Sequence, residues 1–147
     1  MCEAGACEGV DGAFAMHIWS EVDAGTISCE PGPRMANTDW FRVDVHGTSC
    51  HGAMPQRGSD AVMVAAEIVN ALQTIVSRNV TPFHPLVLSV TEVHGGHVWN
   101  VVPAEAGFQG TVRYFHKSDG NLVGRRFKEV VEHTAEAYGI SADVVWD

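Results

Sequence analysis

The side chains of this chain that could do chemistry are a few histidines, one asparagine, one arginine and one cysteine. His51 lies in HGTSCHGAMP (46–55), between Gly47 and Gly52 and ahead of Pro55. A histidine delivered on such a loop is well placed to be presented to a ligand. A plain surface role suits the same position. His94 and His97 form H-G-G-H, a spacing that could clip a metal, but zinc sites want three or four ligands. Asn100 precedes the turn into a strand that carries Arg113 beside Thr111. Brought together, an Asn and an Arg can read a carboxylate, the Arg through its bidentate fork; spacing leaves a surface role equally open. His17 sits between apolar neighbours in AFAMHIW (13–19), where a packed histidine and a metal ligand are both possible. Cys50 adjoins His51, yet a Cys–His nucleophile pair needs adjacency in space, not in sequence.

These residues hang on a regular framework. In TDWFRVDVH (38–46), Phe41, Val43 and Val45 alternate with Trp40, Arg42, Asp44 and His46, the period of a strand buried on one face. A helix is expected from about Ser59 to Arg78, with Val62, Ala65, Ala66, Val69, Leu72 and Val76 on its apolar stripe. Ser59 or Asp60 would cap its start, and Asn79 with Pro82 would end it. PLVLSVTEV (85–93) and AGFQGTVRYF (106–115) read as strands, the latter with Phe108, Val112 and Tyr114 on one face. A second helix follows, capped by Ser118 or Asp119 and running through Tyr138. Its inner stripe holds Val123, Phe127, Val130, Val131 and Thr134, and Gly139 stands where a C-terminal glycine belongs. ISADVVW (140–146) closes the series.

The order β-α-β-β-α-β predicts an α+β, ferredoxin-like fold, with a four-stranded antiparallel sheet and two helices on one face. The second of these strands would lie at an edge. It carries neither lysine nor proline in its middle, residues that natural edges use against pairing. A homodimer through that second strand and the first helix is therefore expected. Residues 1–34 look different, rich in Gly, Ala and Glu, with two short apolar runs (13–19 and 25–29) read as strands and PGPR (31–34) as a hinge.

Composition narrows the function. The chain has 147 residues, 46% hydrophobic and 18% charged, enough for one domain with a core. A net charge of −9 argues against nucleic-acid and anionic-membrane partners. An RNA-binding domain of this topology would also want paired aromatics on its third strand. No apolar run reaches transmembrane length, and the first residues lack a signal-peptide pattern. Cys2, Cys7, Cys29 and Cys50 form no C-x-x-C pair, so reduced thiols and a cytoplasmic location are expected.

Several stretches together resemble one family: AFAMHIW (13–19), GTI (25–27), PGPRMA (31–36), HGAMP (51–55), ALQTIVSR (71–78), HGG (94–96), NVVP (100–103) and GTVR (110–113). In this order they look like the amidohydrolase branch of the aminoacylase and carboxypeptidase-type metallopeptidases, which includes hippurate hydrolases and indole-acetyl-amino-acid hydrolases. That resemblance implies a catalytic domain with two divalent metal ions, zinc or manganese, interrupted by a β-α-β-β-α-β lid and dimerisation domain. Residues 35–147 match the lid, and 1–34 match the catalytic, metal-binding segment and hinge leading into it. By the same resemblance His17 falls on a metal ligand, and His51 on the lid histidine that stabilises the oxyanion, generally in the other subunit's site. Asn100 and Arg113 fall on positions that hold an N-acyl amino acid substrate. Ser49 and Cys50 replace glycines usual in the family's loop. The family's upstream Cys-x-His motif, its Glu-Glu pair and its last histidine ligand are absent. The chain alone is expected to hold no metal tightly and to be inactive. The competing expectation is a free-standing ferredoxin-like dimeric module that binds an amino acid or small carboxylate.

Overall fold

The computed structural model describes residues 2–147, with side chains from residue 3 onward; the Cys2 thiol and Met1 lie outside the described residues. The chain divides into two compact units, residues 1–32 and 33–147.

The first unit has a 3₁₀ turn at Cys2–Ala4 and otherwise irregular backbone. The strands expected at 13–19 and 25–29 do not form. A strand needs a ladder partner, and the described residues of this unit supply none. The side chains that alternate along the first run, Phe14, Met16 and Ile18, are all exposed.

The second unit is built on β1 (Asn37–His46), α1 (Ala61–Asn79), β3 (Leu86–Gly95), β5 (Glu105–Tyr114), α2 (Lys117–Ala137) and β6 (Ser141–Trp146). A ribbon of β2 (Cys50–His51) and β4 (Val101–Val102) is added to these. The large sheet has the order β3-β5-β1-β6, antiparallel throughout, so the expected ferredoxin-like architecture is present. β3, the second strand of the β-α-β-β-α-β series, lies at an edge.

Period-2 alternation buries Phe41, Val43 and Val45 completely beneath the helices, with Phe108 and Val112 beside them. Phe127 of α2 packs its ring 4.5 Å from that of Phe41 and 5.1 Å from that of Trp146. The α1 stripe differs from expectation. Ala61, Val64, Ala65, Ile68, Leu72 and Ile75 are buried, whereas Val62 is 41% exposed. The first turns, AVMVAA (61–66), carry no polar residue, so periodicity there allowed more than one inward face. Asp60 caps it, accepting from the Val62 and Met63 amides at 3.0 Å each. The start of α2 also departs from expectation: His116 is its N-cap and offers no side-chain cap. Asp119 is instead buried and lies 2.8 Å from His84 Nδ1, whose ring stacks on His116 at 4.1 Å. A carboxylate in a first helical turn is favoured by the helix dipole, and here it also ties the α1–β3 connection to α2.

Candidate functional site

His51 sits on a strand rather than on the free loop expected. β2 is two residues long and pairs Cys50 with Val102 and His51 with Val101. The approach to it is closed by a two-way bridge, Thr48 N–H to Ser59 O and Ser59 N–H to Thr48 O, both 2.9 Å. Glycines make this closure possible. A Cβ on Gly58 would lie 2.4 Å from Thr48 O, and one on Gly47 would lie 2.1 Å from Ser59 O. Beyond His51 the Gly52 amide donates to Asn100 O at 2.8 Å, and the Met54 amide donates to His51 O at 2.7 Å. Asn100 is thus bonded through its backbone to the His51 turn.

The imidazole itself is oriented. The Ala53 amide donates to His51 Nδ1 at 3.1 Å. A backbone N–H can only donate, so Nδ1 carries a lone pair and the neutral ring holds its proton on Nε2. His51 is exposed, and its Nε2–H can donate to a group that approaches it. Cys50 is the preceding strand residue, so its side chain projects to the opposite face. Its Sγ lies 4.0 Å from Pro55 O. The Cys–His nucleophile pairing is not formed.

A recess of about 450 Å³ adjoins the ribbon, with Val62, His97, Val98, Trp99, Val101 and Pro103 among its walls. His94 faces Gly107 across the β3–β5 ladder. His94 and His97 join no metal-ligating cluster; among the described residues no group of three His, Cys, Asp or Glu could hold an ion. In the first unit, His17 Nδ1 lies 2.6 Å from Ile18 O and must donate to it; in the neutral ring the lone pair is then on Nε2, the form that binds metal. It is a single ligand, and the donor set described here does not fit a complete metal centre.

Arg113 does not join His51 and Asn100. It projects from β5 and donates to Thr111 Oγ1 and, at 3.2 Å, to Val112 O. β5 runs eight residues from Glu105, opposite His46, to Arg113, opposite Thr38. At about 3.3 Å per residue that is about 26 Å, longer than a single amino-acid derivative. Next to Arg113, burial and a hydrogen bond to Asp39 raise the Tyr114 hydroxyl above its usual 10.0.

Residues 36–139 match the peptidase dimerisation domain family. The chain belongs to it. The relatives agree: an N-acyl-L-amino acid amidohydrolase of Geobacillus stearothermophilus is 41% identical over all 147 residues, covering 40% of that protein. An N-acetyl-L-cysteine deacetylase of Bacillus subtilis is 38% identical over 98% of this chain and 35% of its own length. Among solved structures, the YXEP protein of Bacillus subtilis, described as a dinuclear metal binding peptidase from the M20 family, superposes with a TM-score of 0.70. It is 32% identical over 99% of this chain and 35% of that one. The chain therefore spans 35–40% of the length of these relatives, the part that carries the dimerisation domain.

The β2–β4 ribbon of this dimerisation domain escaped sequence reasoning. Two-residue strands are too short to carry a period, and the remaining signal was the Val101-Val102 pair set ahead of Pro103.

Proposed function

We propose that this dimerisation domain is the lid of a metal-dependent amidohydrolase that cleaves N-acyl amino acids. Residues 1–34 belong to the catalytic, metal-binding part of that hydrolase, and His17 is one of its ligands. The observation that carries the reading is the Ala53 amide on His51 Nδ1, which commits Nε2 to donating. A preorganised donor of this kind serves where negative charge develops on an amide carbonyl oxygen. Asn100, held to the same turn, adds its side-chain amide to the substrate, and Arg113 takes the substrate carboxylate through its guanidinium fork.

The two metal ions implied by the resemblance supply Lewis-acid activation of the carbonyl when bound. This chain's own share is orientation, charge stabilisation and exclusion of water on closure. Arg113 stands too far from His51 and Asn100 for one chain to engage one substrate with all three. An antiparallel pairing of edge strand β3 with a second copy answers this: the Val87 end beside Arg113 then faces the Gly95 end, near Asn100, of the other copy. The homodimer is part of the site.

The test is a graft. The chain replaces the matching segment of the Geobacillus stearothermophilus amidohydrolase, and hydrolysis of N-acyl amino acids is followed. His51→Ala in the graft should lower kcat by ~10²–10³ with KM little changed. A graft that turns over equally well without the imidazole would refute the role given to His51.

A further inference from the structure

Two large aromatic side chains of this domain rest on nothing: Phe83, in the turn before β3, is 89% exposed, and Trp99, in the loop after it, is 95% exposed. A ring of this size can bury ~150–250 Å². Scattered exposed hydrophobics need no explanation, but these two bracket one edge strand. Phe83 stands eight residues before Thr91, and Trp99 eight residues after it.

β3 is bonded on one side to β5 and, among the described residues, has no neighbour on the other. In a two-fold contact, if residue i meets residue j, then j meets i. An antiparallel pairing of β3 with its own copy about an axis at Thr91 sets Val87 opposite Gly95 and brings the turn that carries each Phe83 to the loop that carries the Trp99 of the second copy, twice over. The irregularity between Val90 and Glu92 falls on that axis, so each regular half of the strand meets the opposite half of the other copy. The same register sets Glu92, the one charged residue of β3, against Val90 of the second copy. A register centred on Glu92 would oppose two like charges. Val87 and Val93, 51% and 62% exposed, add apolar surface at either side of the axis, among Ser89, Thr91 and His94.

We propose that Phe83 and Trp99 form a reciprocal aromatic clasp that fixes the register of a β3-to-β3 dimer. The occupant of this surface is a second copy of the chain. The inference rests on the dimer invoked in the preceding section and adds the residues that set its alignment. Alignment matters to the site, because a slipped register would carry Arg113 away from the Asn100 of the other copy.

Sedimentation of the full chain tests it. Wild type should dimerise, and Phe83→Ala or Trp99→Ala should each raise the dimer Kd by roughly tenfold, since every dimer loses two contacts. The double variant should be little weaker than the weaker single, because both substitutions remove the same two contacts. Tryptophan emission should shift to the blue on dimerisation in wild type and not in Phe83→Ala. Both residues are exposed, so the monomer fold should survive, as circular dichroism would report. A dimer with unchanged Kd in either variant, or with fully additive losses, overturns the clasp and leaves the dimer standing. A wild type that stays monomeric at its highest soluble concentration overturns the dimer and the clasp with it.

Discussion

The body of the sheet and the ribbon that carries His51 are held by different forces. In the body, Phe41, Phe108 and Phe127 are fully buried, and the strands gain most from excluding water. The ribbon has almost nothing to bury: His51 is exposed and β2 has two residues. Its shape comes from backbone hydrogen bonds made at close approach, between Thr48 and Ser59 and between Gly52 and Asn100. A core defined by volume tolerates an apolar exchange of similar size. A ribbon defined by contact distance tolerates no added atom at Gly47 or Gly58, however small. The ribbon that carries His51 is thus a place where geometry is specified by backbone, next to a core that supplies rigidity.

The contrast can be broken at either end. Phe127→Ala has the largest expected effect, a loss of ~3–5 kcal/mol in denaturant unfolding, because it empties space against Phe41 and Trp146. A loss well under that range would mean the body is less dependent on this cluster than its packing indicates. Gly58→Ala should cost less overall, ~1–3 kcal/mol, since a Cβ 2.4 Å from Thr48 O and 2.7 Å from Cys50 Sγ forces the bridge to open. Its signature is local: amide exchange at Thr48 and Ser59 should accelerate while the amides of β1 and β5 stay protected. Uniform acceleration would erase the distinction between ribbon and body.

The smallest expected effect is at high pH. Folding raises the Tyr114 hydroxyl above 10.0, so the native state keeps a proton that the unfolded chain has already lost. The stability this contributes is complete below pH 10 and fades as pH rises through the folded value. Tm should therefore fall above pH 10, and less steeply in Tyr114→Phe. Parallel curves for the two proteins would remove Tyr114 from the account.

Sequence patterns reached the body well. The alternation around Phe41 and the helical spacing around Leu72 and Phe127 are long enough to average out local accidents. They reached the ribbon poorly. Cys50-His51 and Val101-Val102 pair across about fifty residues, and nothing local in either dipeptide marks the other. Asp119 looked like a helix cap because its type and position suit one, but His84, on a different connection, claimed its carboxylate. The strands expected at 13–19 and 25–29 have suitable residues, yet a strand is a property of a pair.

Residue types and their periods alone determined the order of the main strands and helices and the buried faces of β1 and β5, and they offered a few polar side chains as candidates. Tertiary structure decided which nitrogen of His51 carries the proton, that Asn100 stands with it, and that Arg113 stands at the other end of the sheet. The physical reason is range. Burial patterns are written in neighbouring residues, whereas a hydrogen bond's direction and the distance between two strand ends exist only once remote parts of the chain have met.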